Sequence, residues 1–278
     1  MTDAQNGLSF IKMHGLGNDF VVLDGRVRET QVTPALAQAL GDRHRGVGFD
    51  QLALIEARGE GDAHLTFYNA DGSTSAACGN ATRCIAEMLL TETGKDSLTL
   101  TTDRGSLPVT RAPSGAVSVN MGPPQTEWSD VPLAEEMDTL ELPIEGAPTA
   151  TGMGNPHCTF FVADAEAVPL EVFGPRYEHH PLYPERTNVQ VATVTGENRI
   201  RMRVWERGVG VTLASGSSSC ATAVAAARRG LTGRKVTVEL DGGTLEIDWR
   251  EDGVWMTGPT TRVFDGVLTP DWLAGLAS

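Results

Sequence analysis

The chain has 278 residues, enough for one large domain or for two smaller domains that each bury a core. Hydrophobic residues make up 40% of it and charged residues 21%, which is typical of a globular protein and argues against disorder. With 36 acidic and 22 basic residues the formal net charge is -14, which disfavours nucleic acid and anionic membrane surfaces as partners.

The start of the chain has neither a basic n-region nor an apolar h-region, and no apolar run approaches the length of a membrane span. We therefore expect a cytoplasmic protein. Four cysteines are too few for a disulfide scaffold, and they form no CxxC pair: Cys78, Cys84, Cys158 and Cys220. They predict free thiols that are either buried or used in chemistry.

Strands are predicted where aromatic and branched residues cluster between Gly, Asp or Asn, as at residues 20–23, 65–68 and 98–101. After Cys78, apolar residues recur at helical spacing until Gly94 ends the helix.

The second half of the chain repeats this arrangement of elements. A segment rich in proline and acidic residues, 123–148, predicts a linker and surface region. Beyond it, Ser217 to Ser219 are suitable helix caps, and an alanine-rich helix over 220–229 ends at Gly230.

An internal repeat relates the two halves of the chain. Matched residues lie 137 positions apart (155 − 18, 188 − 51, 206 − 69 and 215 − 78), and the pairs are Asn18 with Asn155, Gln51 with Asn188, Asn69 with Glu206, and Cys78 with Ser215. Single matches arise by chance in a chain with 31 glycines, but four at one offset favour two homologous halves that face each other across a cleft.

The repeated positions suit the binding of a zwitterionic amino acid. A helix N-terminus binds carboxylates and stabilises a thiolate, and Cys78 lies at the start of its helix. Its alternative role is that of a small buried hydrophobe. The repeated amides can donate to a carboxylate or accept from an ammonium group. Glu206 adds an acid that can accept from an amine, and Arg207 adds a guanidinium that can bind a carboxylate through two hydrogen bonds. The alternative role of each single amide is a turn or a cap.

Other chemistries have weak support in the sequence. Lys12, Lys95 and Lys235 are the only lysines, and none is placed like a Schiff-base lysine. The six histidines form no HExxH pattern, and the His179-His180 pair predicts a solvated loop.

Several motifs resemble the diaminopimelate epimerase family, in the family's order and over essentially the whole chain. They are His14 to Phe20, Gly46 to Gln51, Asn69 to Ser73, Cys78-Gly79-Asn80 with Arg83-Cys84, Gly154 to His157, Arg186 to Val189 and Glu206 to Gly208. The resemblance implies an α+β fold of two pseudo-symmetric domains, each a curved, mostly antiparallel sheet or barrel around a central helix. We place the boundaries at 1–121, completed by 262–278, and at 122–261.

The resemblance also implies an isomerase that interconverts LL- and meso-diaminopimelate in lysine and peptidoglycan biosynthesis, without cofactor or metal and as a homodimer. Cys78 and Ser215 would transfer protons, with His157 and Glu206 assisting. The implied substrate-binding residues are Asn18, Gln51, Asn69, Gly79, Asn80, Asn155, Asn188, Glu206, Arg207, Gly216 and Ser217.

Ser215 departs from the family pattern, which has a cysteine between Ala214 and Gly216. Cys220 follows five residues later, inside the predicted helix, and is expected to point elsewhere. Inversion of a stereocentre needs a base on one face and an acid on the other, and a hydroxyl is a weaker acid and base than a thiol. We therefore predict binding of diaminopimelate with slow or absent epimerisation.

Three origins of Ser215 stay open at this point: an engineered change, a natural paralogue with altered chemistry, and a natural enzyme that uses a Cys/Ser pair. Two alternative functions stay open with them. One is a related cofactor-free racemase or hydroxyproline-type dehydratase that uses one cysteine, and the other is a non-catalytic paralogue that binds an amino acid.

Overall fold

A computed structural model of the chain describes residues 7–27 and 30–276. The first elements in chain order are β1 (Leu8–Gly15), β2 (Asn18–Asp24), α1 (Pro34–Gly41), β3 (Gln51–Glu56), β4 (Ala63–Asn69), β5 (Thr74–Ser75), α2 (Gly79–Thr93), β6 (Ser97–Thr102), β7 (Gly105–Arg111) and β8 (Val117–Asn120). They are followed by β9 (Thr149–Gly152), β10 (Pro156–Phe161), α3 (Leu170–Glu178), β11 (Asn188–Gly196), β12 (Arg199–Glu206), β13 (Gly210–Thr212), α4 (Gly216–Arg228), β14 (Lys235–Leu240), β15 (Gly243–Arg250), β16 (Gly253–Gly258), β17 (Thr261–Leu268) and α5 (Pro270–Ala274).

The chain forms two compact units. Unit 1 contains residues 1–117 together with 259–278, and unit 2 contains the continuous stretch 118–258. The returning segment of unit 1 carries β17, which pairs antiparallel with β1 from Leu8 opposite Leu268 to His14 opposite Thr261. Unit 1 is therefore built from both ends of the sequence.

Unit 1 has a mixed sheet in which most ladders are antiparallel. β2 lies parallel to β3, which pairs antiparallel with β4, and β4 lies parallel to β6. The fully buried side chains of α2 include Ala81 and Ile85. A second group of buried residues joins α1 to the sheet, and it includes Leu40 of α1, Phe49 and Leu52 of β3.

Unit 2 repeats this order of ladders. β10 lies parallel to β11, which pairs antiparallel with β12, and β12 lies parallel to β14. Its central helix, α4, is buried along most of its length through small residues such as Ala223 and Ala225. The predicted α+β class is confirmed. Of the two predicted forms, sheet or barrel, the described residues show sheets that do not close.

The internal repeat is visible in the strand register. Phe20 lies opposite Gln51 in the first unit, and His157 lies opposite Asn188 in the second. Both partners are shifted by the same number of residues, since 157 − 20 = 137 and 188 − 51 = 137. The sequence offset therefore corresponds to equivalent backbone positions in two structures of the same design.

Both predicted central helices are confirmed, and their C-terminal ends are as expected, but the predicted start of α4 is wrong. The helix begins at Gly216 rather than at residue 220, and Ser217 to Ser219, predicted as caps, lie inside it, where the Ser219 hydroxyl donates to the Ser215 carbonyl. Cys78 is the N-cap of α2 and Ser215 that of α4, each in an extended backbone conformation. α2 ends at Gly94, whose φ of 68° is left-handed, and Gly230, with a φ of 67°, follows the last turn of α4. Glycine adopts this conformation without the steric cost that a side chain would add.

The prediction of a linker over 123–148 is wrong. This segment belongs to unit 2, and Val131, Leu133 and Leu142 are buried in its hydrophobic core. The segment has little regular secondary structure, so its apolar residues follow neither the helical nor the strand period that would have revealed them.

Three shorter helices, α1, α3 and α5, accompany the two central ones in the described residues. α1 begins with Thr33, whose hydroxyl accepts the Leu36 N–H, and with Pro34 at its first position. α3 follows Pro169. In the described part of the chain, no helix combines the length and apolar character needed to cross a membrane.

Candidate active site

The polar residues predicted in unit 1 meet at one edge of its sheet. Asn18 is the first residue of β2, Gln51 the first of β3 and Asn69 the last of β4. Because β2 and β3 are parallel and β4 is antiparallel to them, all three strand ends lie at the same edge. The Gln51 side-chain amide donates to Asn69 Oδ1 over 3.0 Å.

Asn18 is held from two sides. Its Nδ2 donates to Asp50 Oδ2 over 2.8 Å, and its Oδ1 accepts from Asn80 Nδ2 over 3.1 Å. Asn80 Oδ1 in turn accepts from Arg83, a fully buried residue in the first turns of α2. The amide plane of Asn18 is therefore fixed, which presents its second N–H in one direction.

An ionic cluster lies beside Asn18. Lys12 Nζ and the Arg43 guanidinium both donate to the Asp19 carboxylate, and Arg43 also pairs with Asp50 over 2.8 Å. Burial acts to raise the pKa of Asp19, but the hydrogen bonds and charges of Arg43 and Lys12 outweigh it and lower the pKa to about 2. Asp19 therefore stays ionised and keeps the cluster assembled at neutral pH.

Cys78 lies at the N-terminus of α2. Its Sγ accepts from the Ala81 N–H over 3.5 Å, so the sulfur faces the helix end where backbone N–H groups favour negative charge. Cys78 is partly exposed, whereas the other three cysteines are buried. Burial raises the pKa of Cys84 and of Cys158 to about 12, which keeps both thiols protonated.

Unit 2 has the same arrangement at the matching edge. Asn155 precedes β10, Asn188 begins β11 and Glu206 ends β12. The Asn188 side chain joins two strand ends, because Nδ2 donates to the Pro156 carbonyl and Oδ1 accepts the backbone N–H of Arg207. The candidate residues of this half are thus fixed by the strands that carry them.

His157 is fully buried, and both ring nitrogens are in hydrogen bonds. Nε2 is 2.9 Å from Asn155 Oδ1, and Nδ1 is 3.0 Å from Gln190 Nε2. The ring therefore lies behind Asn155, in contact with a side chain of the substrate-binding set proposed from the sequence.

Ser215 occupies in α4 the position that Cys78 occupies in α2, but its side chain is engaged differently. Its hydroxyl donates to Glu206 Oε2 over 3.0 Å instead of capping the helix. The other carboxylate oxygen of Glu206 accepts from Thr212. Ser215 is 3% exposed, so this contact lies in a largely dehydrated environment.

The remaining candidates lie on the same elements. Gly79 and Gly216 are the first residues of α2 and α4, where N–H groups are available to a ligand, and Ser217 follows Gly216. Arg207 follows β12 and donates to the Glu185 carbonyl over 3.0 Å.

Sequence reasoning missed several residues that orient the candidates. Asp50 lies in the motif Gly46 to Gln51 but has no predicted role, and no sequence pattern marks Arg43, Thr212 or Gln190. Asp50 directly precedes Gln51, so a carboxylate beside a repeated amide was an available signal. The contacts of Arg43 and Gln190 join residues 24 and 33 positions apart, and no local pattern predicts such contacts.

Comparison with known proteins identifies the family. The family model described as diaminopimelate epimerase matches residues 10–127 and 149–263. A diaminopimelate epimerase of Rhodospirillum centenum is 51% identical over 273 residues, covering 96% of this chain and 94% of the relative. One of Acidiphilium cryptum is 51% identical over 271 residues, covering 95% and 98%. The chain belongs to the diaminopimelate epimerase family.

Solved structures support the fold at low sequence identity. A phenazine biosynthesis protein of the PhzF family from Bacillus anthracis has a TM-score of 0.67 at 16% identity, covering 94% of this chain and 99% of that one. A hydroxyproline epimerase from Agrobacterium vitis has a TM-score of 0.64 at 15% identity, covering 94% and 91%. At these identities the likeness extends to the fold alone.

Family membership confirms the predicted enzyme class and function. The protein is an isomerase of the family that epimerises LL-diaminopimelate to meso-diaminopimelate in lysine biosynthesis.

Proposed function

We propose that this member of the diaminopimelate epimerase family performs its proton transfers with Cys78 and Ser215, and turns over more slowly than a two-thiol enzyme. The observation that carries this proposal is the equivalence of the two residues. Each is the N-cap of the central helix of its unit, 137 residues from the other (215 − 78), in the same extended backbone conformation.

The surrounding groups suit a zwitterionic substrate. The amides of Asn18, Gln51 and Asn69 in unit 1, and those of Asn155 and Asn188 in unit 2, supply neutral donors and acceptors. We assign carboxylate binding to Arg207 and to the backbone N–H groups at the helix starts: Gly79, Asn80, Gly216 and Ser217. For the two halves that carry these residues we propose the boundaries 1–121 with 262–278 and 122–261, which differ by three or four residues from those of the compact units.

Glu206 is assigned the role of proton acceptor behind Ser215. When Ser215 Oγ takes the α-proton of the substrate, its own proton passes along the 3.0 Å bond to Glu206, which becomes a carboxylic acid. In the opposite direction Glu206 returns that proton to Ser215, which protonates the α-carbon. A serine hydroxyl transfers protons less readily than a thiol, so this half of the reaction limits the rate.

Turnover by a Ser215→Cys variant tests the proposal. Restoring a thiol is expected to raise kcat by about 10²-fold or more, because a matched acid/base group contributes roughly 10² to 10⁴ in rate. Ser129→Cys is the matched control, because it makes the same serine-to-cysteine change at an exposed loop position and should leave kcat unchanged. Equal rates in the wild-type chain and in Ser215→Cys would show that the serine does not limit turnover.

Deuterium uptake from heavy water by LL-diaminopimelate separates the alternatives that Ser215 leaves open. Inversion with exchange supports epimerisation by the Cys/Ser pair. Exchange without inversion indicates a single working base, and absence of exchange indicates an amino acid-binding paralogue. If the chain is the dehydratase, a hydroxylated proline offered as substrate will lose water, which mass spectrometry detects as a lighter product.

We also propose that the protein is a cytoplasmic homodimer that binds neither nucleic acid nor membrane. All four cysteines lie in the described residues and none of them is in a disulfide, which is consistent with a reducing compartment. β17 has three exposed apolar side chains that self-association would cover: Val263, Phe264 and Val267.

Sedimentation of a Val263→Lys/Val267→Lys variant tests the homodimer. The two lysines are expected to convert a dimer into a monomer, because they place charge in the proposed contact. Val172→Lys on α3, at a valine that is 73% exposed, should leave the mass unchanged. A monomeric wild-type chain at micromolar concentration would overturn this assignment.

A further inference from the structure

Gln190 is a buried polar residue to which the reaction as described gives no role. It lies on β11, directly opposite Thr159 of β10, and is fully buried. Its side chain reaches His157 on the neighbouring strand and Ser218 in the first turn of α4. A buried amide with three side-chain partners orients those partners, because each bond restricts a rotatable group.

The orientation of the Gln190 amide follows from its contacts. Thr159 Oγ1 donates to Gln190 Oε1 over 3.1 Å, so the carbonyl oxygen faces Thr159. The opposite end, Nε2, lies 3.0 Å from His157 Nδ1 and donates to Ser218 Oγ over 3.0 Å, and Ser218 Oγ is itself 3.5 Å from His157 Nδ1. An amide nitrogen can only donate, so at the shorter of the two contacts the ring nitrogen accepts. His157 therefore receives a hydrogen bond at Nδ1.

This contact determines where the ring carries its proton. A neutral imidazole has one donor and one acceptor nitrogen, and an imidazolium has two donors. An N–H at Nδ1 would point at the N–H group of Gln190, which disfavours both the Nδ1–H tautomer and the cation. The proton is thus placed on Nε2, which donates to Asn155 Oδ1 over 2.9 Å.

We propose that Gln190 is a positioning residue that holds His157 as the neutral Nε2–H tautomer and, through it, fixes the amide of Asn155. With Oδ1 engaged by His157, Asn155 presents its N–H groups as donors. The use of those donors for a substrate carboxylate rests on the proposed function, whereas the tautomer does not. His157 thereby assists as a neutral hydrogen-bond donor.

Nitrogen NMR of chains labelled with ¹⁵N-histidine tests this directly, and a His157→Gln variant identifies the signals of His157. In the wild-type chain near neutral pH, Nε2 is expected to show a protonated signal and Nδ1 an unprotonated one. In Gln190→Glu, the carboxylate accepts instead of donating, so the Nδ1 signal should become that of a protonated nitrogen. Gln38→Glu, an exposed change of the same charge in unit 1, should leave these signals in place.

Thr159→Val provides a second variant that adds no buried charge. It removes the donor that orients the Gln190 carbonyl, so the amide can reverse and the His157 ring should show a mixture of tautomers.

Turnover should follow the same residue. We expect kcat/KM for diaminopimelate to fall by about 10²-fold in Gln190→Glu, because a binding group that is misplaced by about 1 Å costs a factor of this size, with little change in Gln38→Glu.

A protonated Nδ1 in the wild-type chain, or wild-type histidine signals in Gln190→Glu, would overturn the proposal. Because the NMR measurement needs no turnover, an Nε2–H tautomer in a chain that fails to exchange the α-proton would contradict the proposed function and leave the role of Gln190 intact.

Discussion

At the scale of single residues, one oxygen in place of a sulfur distinguishes the two helix starts. Cys78 Sγ accepts from the first turn of α2, while Ser215 Oγ donates to Glu206. A sulfur at a helix end is stabilised as an anion, but a hydroxyl there needs a neighbouring base to release its proton. The two positions are thus equivalent in backbone and different in chemistry.

Asp19 should link stability to pH in the acidic range. A folded-state pKa of about 2, below the ordinary aspartate pKa of 3.8, means that the carboxylate contributes stability above pH 3.8 and loses it as pH falls toward 2. Asp19→Asn is expected to lower the free energy of unfolding by about 2 kcal/mol at pH 6. Urea unfolding between pH 3 and 6 should show the two curves converging on the acidic side.

The exposed substitution Asp130→Asn is a matched control for this measurement. A constant difference between wild type and Asp19→Asn across the whole range would show that the ionised form of Asp19 is not what stabilises unit 1.

The sequence singled out candidate site residues where the repeat doubled the signal. Single amides such as Asn18 and Asn155 are ordinary turn residues in isolation, and a constant offset between two halves made them candidates. It could not identify Arg43 or Gln190, because a side chain that orients another across strands leaves no periodic pattern.

At the scale of elements, α2 was predictable to within about a residue because caps at both ends agree with the apolar period. The start of α4 was predicted four residues too late, at 220 instead of 216, because the serines inside its first turn resemble caps in sequence. The strands predicted at 20–23, 65–68 and 98–101 are confirmed within β2, β4 and β6. The buried segment at 123–148 could not be predicted, because irregular backbone packed through scattered apolar residues resembles a loop in sequence.

The left-handed glycines after the central helices should be sensitive to a side chain. Nothing lies within 4 Å of a Cβ placed on Gly94 or Gly230, so any cost of substitution is conformational rather than steric crowding. Gly94→Ala and Gly230→Ala are each expected to lower the free energy of unfolding by about 1 kcal/mol. Thermal or urea unfolding measures this.

Gly94→Asn is the matched control, because asparagine tolerates the left-handed conformation better than alanine. Equal losses for Gly94→Ala and Gly94→Asn would show that the backbone angle is not the cause.

At the scale of the whole molecule, the charge of -14 bears on encounter with substrate. Diaminopimelate at neutral pH carries two ammonium and two carboxylate groups, so it has no net charge for the field of the protein to attract. We expect kcat/KM to change less than about twofold between roughly 20 and 200 mM NaCl. A steep dependence on salt would instead indicate steering by a local charged patch, such as the surroundings of Arg207.

The return of β17 to unit 1 has a consequence for biosynthesis. Unit 2 is one continuous stretch, so it can fold on the ribosome as soon as residue 258 has emerged. The edge of β1 that pairs with β17 has to wait until residue 268 has emerged, with its N–H and C=O groups without their strand partner in the meantime. Unit 1 begins to be translated before unit 2 and is therefore completed after it.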